Sequence, residues 1–249
     1  MKDCELYSNL KTPCGSRIVV RVDGRNFSSL AKHLELEKPY DREFVEMLVA
    51  AGMDLVKEFA PIFIYTFSDE VSILLDYVPF SGRVEKLDSV FASFLAGSFT
   101  RHLLSTEKFS DMEKFKPISF DSRVIPLNDQ GVVAYFIGRQ DEAWRNCLNG
   151  YSYWTLRKKH DKEEAVQLLN GKKKQDLHEL LHQNHINIRK VPSWQKRGVA
   201  IRREYVEVEG YNPLSKENVI SHRFKPCVEW DLPIFNKEYF YSNEILKKK

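Results

Sequence analysis

Two short acidic segments carry residue types that suit magnesium binding. Asp23 ends an apolar run and is followed by Gly24, whereas Asp69 is flanked by Ser68 and Glu70. Magnesium prefers carboxylate oxygens, water and substrate phosphates to nitrogen or sulfur, so a phosphoryl-transfer site needs few protein ligands, accurately placed. If the fold brings Asp23 and Asp69 together, they can hold two metal ions about 4 Å apart, and Glu70 can assist catalysis from the same segment.

The turn that follows the first aspartate has the composition of a phosphate-binding loop. Residues 23–29 read DGRNFSS. Gly24 lets the backbone approach a phosphate closely, and the amides that follow it can surround a triphosphate. Lys38 can neutralise the outer phosphate oxygens. Spacing alone is equally consistent with a plain β-turn at 23–24 and a polar hairpin tip at 68–70.

Hydrophobic periodicity predicts the elements that position these residues. In chain order they are a strand, a helix, two strands, a helix and a strand, over residues 17–23, 41–59, 62–67, 71–75, 84–104 and 119–127. The first is a β-branched run typical of a buried strand, and Asp41 is the predicted N-cap of the first helix. The predicted order is therefore βαββαβ.

This order permits an α+β fold with an antiparallel sheet and two helices on one face, the ferredoxin-like arrangement of a polymerase-type palm. The first strand then lies between the third and the fourth, and it ends at the edge where the second strand turns into the third. We therefore expect Asp23 to meet residues 68–70 at that edge. Residues 1–127 are the predicted palm catalytic core.

For residues 128–249, the hydrophobic pattern predicts an extension of the core. It consists of an appended helical segment and a C-terminal β-ribbon over 196–208 and 219–232. Nine Lys and Arg residues stand between Lys172 and Arg203, against two acidic residues. The net charge of the whole chain is only +3, so the uneven distribution, and not the total, predicts a basic surface in this extension.

Composition argues against several classes of protein. With 43% hydrophobic and 12% aromatic residues, the chain is typical of a globular protein. No apolar stretch approaches the roughly eighteen residues of a membrane span, so we expect a cytoplasmic protein without membrane association. The four cysteines are scattered and form no C-x-x-C pair, which argues against a zinc ribbon or a dense disulfide framework.

Three motifs in the predicted palm are specific in combination: RVDGRNF at 21–27, EKPYD at 37–41 and SDE at 68–70. Together they resemble the tRNA-histidine guanylyltransferase family and its guanylyltransferase-like relatives, the 3′-to-5′ polymerases. The resemblance implies that Asp23, Asp69 and the Gly24 carbonyl hold two magnesium ions. It also implies that the nucleotide is contacted by Asp23, Gly24, Arg25, Asn26, Phe27, Ser28, Lys38, Ser68 and Asp69.

A looser likeness continues along the rest of the chain, for example in FDSR at 120–123 near the end of the predicted core, and in RQ at 139–140 and ELL at 179–181 in the extension. One segment departs from the family pattern. Residues 144–147 read WRNC where eukaryotic histidine-tRNA enzymes carry His-Ile-Asn-Asn. In this respect the chain is more similar to the archaeal and bacterial relatives, which add nucleotides opposite a template base and repair 5′-truncated tRNAs.

The resemblance implies a reaction in which the 3′-hydroxyl of an incoming nucleoside triphosphate attacks an activated 5′ end of tRNA. A 5′-monophosphate is first activated with ATP, and GTP supplies the nucleotide that histidine tRNA receives. A dedicated histidine-tRNA guanylyltransferase is the alternative to template-dependent repair. The implied partners are tRNA and nucleoside triphosphates, and the implied assembly is a homodimer or homotetramer.

Basic and amide side chains of the extension are candidates for tRNA binding, because RNA affinity comes largely from phosphate contacts. They are Arg139, Arg145, Asn146, Asn187, Arg189, Lys190 and Arg197. Histidines at 178, 182 and 185 have a helical spacing that can bind a transition metal, but no Cys or carboxylate completes a convincing ligand set.

The residues leave other functions open. Nucleotidyl cyclases and conventional 5′-to-3′ polymerases use the same pair of palm carboxylates. A cyclase would convert nucleotide alone into a cyclic product, and it has no use for a basic region of this size. A non-catalytic RNA-binding protein would bind tRNA without consuming nucleotides.

Overall fold

The computed structural model describes residues 4–106, 116–212 and 217–246. Its strands are β1 (Arg17–Arg25), β2 (Phe63–Phe67), β3 (Glu70–Leu74), β4 (Ser119–Leu127), β5 (Val199–Asn212) and β6 (Glu217–Glu229). Its α-helices are α1 (Phe27–His33), α2 (Arg42–Phe59), α3 (Val84–Leu104), α4 (Asp129–Leu156), α5 (Lys162–Leu169), α6 (Lys174–Gln183), α7 (Ser193–Arg197) and α8 (Lys237–Ser242). No helix in these three ranges is long and apolar enough to cross a bilayer.

The strands form one antiparallel sheet in the order β4-β1-β3-β2-β5-β6. The prediction of a mixed α/β fold with an antiparallel sheet is confirmed, and β1 lies between β3 and β4 as predicted. The carboxylate of Asp41 accepts the N–H of Phe44 at 3.0 Å, which confirms Asp41 as the N-cap of α2. The short helix α1, by contrast, had no counterpart in the prediction.

One face of the sheet packs against α2 and α3. Ile18, Val20 and Val22 alternate along β1 and point to this face, where they join Leu48 of α2 and Phe91 of α3 in one core. Each of these side chains is at most 1% exposed. Burial of a large apolar side chain contributes about 1.5–3 kcal/mol, so this layer stabilises the position of β1 in the sheet.

The other face of the same strands is covered by α4 and the C-terminal segment. Val19 of β1 and Phe63 of β2 pack with Phe136 of α4 and Phe240 of α8 in a second core. The rings of Phe63 and Phe136 meet edge to face, with 5.0 Å between centroids. The central strands are therefore buried on both faces, with helices above and below the sheet.

The extension continues the sheet. β5 pairs with β2 from Val199 to Arg202, and beyond Arg202 it pairs only with β6, so that the two strands project as the predicted ribbon. Because the sheet and the second core both cross residue 127, the predicted core and extension share one hydrophobic interior. The division at residue 127 therefore stays a proposal about function.

Candidate active site

Asp23 and the tip between β2 and β3 converge at one edge of the sheet. Asp23 stands opposite Glu70 in the register of β1 and β3. The N–H of Gly24 donates to the carbonyl oxygen of Asp69 at 3.0 Å. Burial, and to a smaller extent the charge of Asp23, raise the pKa of Asp69. The two segments selected from the sequence therefore meet at one site.

The donors at this site fit a magnesium ion. The Ser68 hydroxyl donates to Asp69 Oδ1 at 3.1 Å, but no Lys, Arg or His side chain of the described residues lies within 4 Å of the Asp69 carboxylate. In the same part of the chain no group of three or more His, Cys, Asp or Glu side chains is arranged to hold a metal. A half-buried carboxylate beside a second one, with a backbone carbonyl nearby, suits an ion that keeps water and substrate oxygens as its other ligands.

Glu70 points inward, beneath the two aspartates, and its side chain is 7% exposed. Arg139 of α4 donates from Nε to Glu70 Oε1 at 2.8 Å and from Nη2 to Oε2, which makes a bidentate ion pair. Burial raises the pKa of Glu70 to about 7, and the guanidinium of Arg139 opposes this rise. The sequence predicted a catalytic carboxylate at the tip, whereas the structure places Glu70 in a buried pair because strand alternation turns it toward α4.

A chain of hydrogen bonds joins Glu70 to α4. The Ser72 hydroxyl donates to Glu70 Oε1 at 3.2 Å, and it lies 2.8 Å from the Tyr135 hydroxyl. Since the single hydroxyl proton of Ser72 goes to Glu70, Tyr135 is the donor to Ser72. Arg139 Nη1 also donates to Glu142 Oε2 at 2.6 Å. Tyr135, Arg139 and Glu142 follow one another at i, i+4 and i+7 and so share one face of α4.

The predicted phosphate loop runs from the end of β1 into α1. A Cβ at Gly24 would lie 2.4 Å from Cδ2 of the Phe27 ring, so this close approach requires glycine. Asn26 has a left-handed backbone (φ 63°), and its side chain makes no capping bond to the first turn of α1. Arg25, Asn26 and Ser28 are exposed, whereas Phe27 is buried in the first core. The Phe27 side chain packs in the interior, so its backbone is the part left for the predicted nucleotide contact.

A cavity of about 280 Å³ opens beside the tip. Its lining includes Ser68 from the tip and Asn146 from α4, which the sequence had assigned to different substrates. Lys38 lies in the loop between α1 and α2, with its Nζ 5.6 Å from the centroid of the Trp154 ring of α4. Burial lowers the pKa of Lys38.

Three of the basic residues predicted to bind RNA are exposed and carry no bound carboxylate. Arg145 lies on α4, and Arg189 and Lys190 lie in the short 3-10 helix after α6. Among the described residues, no Asp or Glu oxygen lies within 4 Å of their charged groups. Asn187 and Arg189 line an open groove beside α6. These cations are therefore available to a polyanion.

Two other predicted RNA contacts are engaged within the protein. Arg139 pairs with Glu70, as described above, and its side chain is 14% exposed. Arg197 donates from Nη1 to the carbonyl oxygen of Leu232 at 2.7 Å. These bonds conflict with the prediction of Arg139 as a phosphate contact, because a largely buried guanidinium needs its partners inside the protein. Arg197 makes one such bond and is only partly buried, so its phosphate contact stays a prediction.

Sequence reasoning missed the residues that complete the network around Glu70. Arg21 donates from Nε to Asp23 Oδ2 at 3.1 Å and lies 3.9 Å from Glu70 Oε2. Ser72, Tyr135 and Glu142 supply the other contacts. The available signal was spacing: Arg21 lies two residues before Asp23 on the same strand face.

Comparison with known proteins gives the family. The sequence model described as tRNAHis guanylyltransferase (Thg1) matches residues 1–128. A probable tRNA(His) guanylyltransferase of Dictyostelium discoideum is 30% identical over 82% of this chain and 84% of its own length. tRNA(His) guanylyltransferase 1 of Arabidopsis thaliana is 28% identical over 96% of this chain, which spans 46% of that plant protein.

A solved structure shares the whole fold. It is described as a bacterial tRNA(HIS) guanylyltransferase (Thg1)-like protein in complex with ATP, and it matches with a TM-score of 0.76 and 26% identity. The match covers 99% of this chain and 97% of the bacterial one. With its two aspartates converging at the end of β1 and at the β2–β3 tip, the chain belongs to the tRNAHis guanylyltransferase family.

Proposed function

We propose that this chain is a nucleotidyltransferase that adds nucleotides to the 5′ end of tRNA in the 3′-to-5′ direction, opposite a template base. The observation that carries the proposal is the convergence of Asp23 and Asp69 at one sheet edge. The curated relatives are named for guanylyl transfer to histidine tRNA. We extend that chemistry to the repair of 5′-truncated tRNAs.

The first four strands with α2 and α3 act as the ferredoxin-like, polymerase-type palm. The strand order β4-β1-β3-β2 and the two helices on one face support this assignment. Residues 1–127 thus supply the chemistry, and residues 128–249 contribute to tRNA binding. Because α4 covers the second face, the RNA-binding part is anchored directly to the palm.

Asp23, Asp69 and the backbone carbonyl of Gly24 hold two magnesium ions in this proposal. Magnesium bound there stabilises the charge of the triphosphate and lowers the pKa of the attacking hydroxyl. Arg21 orients the Asp23 carboxylate through its 3.1 Å bond. The Ser68 hydroxyl fixes one oxygen of Asp69 and leaves the other for a ligand.

The loop after Asp23 receives the triphosphate of GTP or ATP. Arg25, Asn26 and Ser28 are exposed there and offer hydrogen-bond donors, and the uncapped first turn of α1 adds backbone N–H groups. Lys38 neutralises outer phosphate oxygens. ATP activates a 5′-monophosphate in a first step, and the templated nucleoside triphosphate is added in the second.

The exposed cations Arg145, Arg189 and Lys190 bind phosphates of the acceptor stem, and Asn146 and Asn187 assist in placing the 5′ end. The support for choosing these three cations is that each is exposed and has no carboxylate within 4 Å among the described residues. Asn146 also lines the cavity that Ser68 lines, which places a candidate RNA contact beside the tip.

The test uses a tRNA that lacks its first 5′ nucleotide, with magnesium and each nucleoside triphosphate in turn. The opposing base is changed from C to A, G or U, and the product is sized and sequenced. We expect the complementary nucleotide each time, because the pair with the acceptor strand selects it. Addition of guanosine whatever the opposing base, or acceptance of histidine tRNA alone, would establish the dedicated guanylyltransferase instead.

Two further outcomes would replace the proposal by a different class of function. Formation of a cyclic nucleotide without RNA would identify a cyclase. Binding of tRNA with no consumption of nucleotide, at any magnesium concentration, would identify a non-catalytic RNA-binding protein. Both controls use the same protein preparation as the template experiment, so a folding defect cannot produce the difference.

We further propose that the chain assembles as a homodimer or homotetramer. The ribbon of β5 and β6 beyond Arg202 carries exposed aromatic side chains, among them Tyr205, Tyr211 and Phe224. A two-stranded ribbon is only marginally stable alone in water, so packing against a second copy would stabilise it. Light scattering after size exclusion measures the mass, and a monomer at micromolar concentration would contradict this assembly.

A further inference from the structure

Glu70 adjoins both aspartates of the proposed metal site, and its carboxylate is bound by Arg139 of α4. It follows Asp69 directly in sequence and stands opposite Asp23 across β1 and β3. Its oxygens accept bonds from Arg139 and Ser72. Any movement of Glu70 therefore moves the backbone that carries Asp69 and the strand pair that carries Asp23.

Arg21 is shared between the two carboxylates on either side of it. Its Nε is 3.1 Å from Asp23 Oδ2 and 3.9 Å from Glu70 Oε2. Without another cation, a buried Glu70 would attract this guanidinium more strongly, because an unpaired buried carboxylate is costly. Arg139 satisfies Glu70 with two bonds and so leaves Arg21 with Asp23.

We propose that Arg139 is a positioning residue which, through Glu70, joins the β2–β3 tip to α4 and fixes the separation of the two aspartates. The inference rests on the proposed function, since it assigns how the metal site is held. Arg139 touches neither aspartate in the structure, and it acts on them through Glu70 and Arg21. Its second bond, to Glu142 on the same helix face, fixes the guanidinium in the plane that Glu70 requires.

The rival assignment is the direct phosphate contact that the sequence suggested for Arg139. The two assignments predict different changes. Loss of a phosphate contact weakens tRNA binding and reduces its salt dependence, whereas loss of a positioning residue changes the magnesium requirement and the turnover. Arg17 offers a matched control, because it also joins β1 to α4, through Asp129 at 2.9 Å, but at the opposite end of the strands.

The experiment compares wild type, Arg139→Lys and Arg17→Lys in the nucleotide-addition assay as magnesium is varied. Lysine keeps the charge but loses the two parallel bonds. For Arg139→Lys we expect kcat to fall, or half-saturating magnesium to rise, by about 10- to 100-fold, as is typical when a residue supporting a metal ligand is lost. Its tRNA Kd and the salt dependence of that Kd stay at the wild-type values. Arg17→Lys retains wild-type values throughout.

A double variant keeps the test valid if Arg139→Lys folds poorly. Glu70→Gln with Arg139→Met removes both charges, so no unpaired charge is left buried. If Arg139 acts through Glu70, the double variant has the magnesium requirement and kcat of Glu70→Gln alone, within about twofold. A larger additional loss shows that Arg139 acts independently of Glu70 and overturns the proposal.

Two results separate failure of this inference from failure of the proposed function. If Arg139→Lys keeps the wild-type magnesium requirement and kcat while tRNA binding weakens and its salt slope flattens, Arg139 is an RNA contact and the positioning role is wrong. If wild type itself adds no nucleotide at any magnesium concentration, the proposed function is wrong and the inference falls with it.

Discussion

The two ends of the central strands each carry an ion pair, but one pair is buried and the other is partly open to water. At the tip end, Glu70 and Arg139 form a bidentate pair whose side chains are 7% and 14% exposed. At the other end, Arg17 pairs with Asp129 at 2.9 Å, with side chains 33% and 23% exposed. Only the tip end also holds Asp69, a half-buried carboxylate with no cation within 4 Å among the described residues.

The two ends therefore use their charged residues differently: the pair at the far end is open to water, whereas the tip end holds a buried pair next to a carboxylate that lacks a cation among the described residues. An ion pair open to water contributes about 1 kcal/mol or less, so the pair at the far end can be replaced at little cost. A buried pair contributes little net stability but is expensive to break, and it therefore specifies one geometry. The tip end combines such a pair with an unneutralised carboxylate, which is the arrangement expected where a cation binds.

The largest expected effect is on activity at the tip end. Asp23→Asn and Asp69→Asn should each lower the rate of nucleotide addition by about 10³-fold, because a metal ion contributes several kcal/mol of transition-state stabilisation. Initial rates at saturating magnesium measure this. Asp129→Asn, at the far end, is the matched control and should keep the wild-type rate. Near-normal turnover in Asp23→Asn or Asp69→Asn would show that the residue does not bind a catalytic metal ion.

Breaking the ion pair at the tip end should lower the free energy of unfolding more than breaking the pair at the far end. Glu70→Ala leaves Arg139 buried without its main partner and should lower the free energy of unfolding by about 3 kcal/mol. Asp129→Ala should lower it by about 1 kcal/mol or less. Urea titrations of both variants measure the difference. Equal losses would show that burial does not distinguish the two pairs.

Salt dependence distinguishes available cations from those already paired. Replacing Arg145, Arg189 and Lys190 with Gln should reduce the slope of log Kd for tRNA against log salt by about 2 to 3, since each phosphate contact contributes nearly one. Arg17→Gln combined with Arg203→Gln, whose cations pair with Asp129 and Asp76, should leave that slope unchanged. If the slope fell in the Arg17 and Arg203 double variant and not in the triple variant, tRNA would bind at the far end of the strands.

The smallest effect concerns the ionisation of Asp69. Burial raises its pKa in the folded state, so above that pKa the ionised carboxylate destabilises the fold, and this penalty disappears as the pH falls and the group protonates. Without magnesium, Asp69→Asn should therefore raise the melting temperature slightly at pH 7 and not at pH 3. Magnesium should stabilise wild type but not the variant. A magnesium-induced shift of equal size in both would contradict the assignment.

Much of the tip end was predictable because it depends on local patterns. The β-branched run before Asp23, the acidic residues between two apolar runs and the βαββαβ order together place the aspartates at one edge. The amphipathic helix behind Asp41 follows the same kind of rule. These patterns depend on neighbours within one or two turns, so they can be read from the sequence alone.

The partners of Glu70 were not predictable, because they depend on the third dimension. Arg139 lies 69 residues from Glu70 in sequence, on a helix that covers the second face of the sheet. The run FIYTF in β2 is buried on both faces, and it could have indicated a second covering layer. Counting charges had a similar limit. It could not distinguish Arg203, which pairs with Asp76, from Arg189, whose guanidinium has no carboxylate within 4 Å in the described parts of the chain.

The close contact between Gly24 and Phe27 restricts how this loop can change during evolution. The Phe27 ring occupies the space of a Cβ at position 24, and it also packs against Phe44, Phe99 and Phe120. A side chain at position 24 therefore requires a smaller residue at 27, which would open a cavity among three other rings. Positions 24 and 27 are expected to vary together or not at all. Within the proposed nucleotide loop, changes that leave the interior packing intact are therefore confined to the exposed residues Arg25, Asn26 and Ser28.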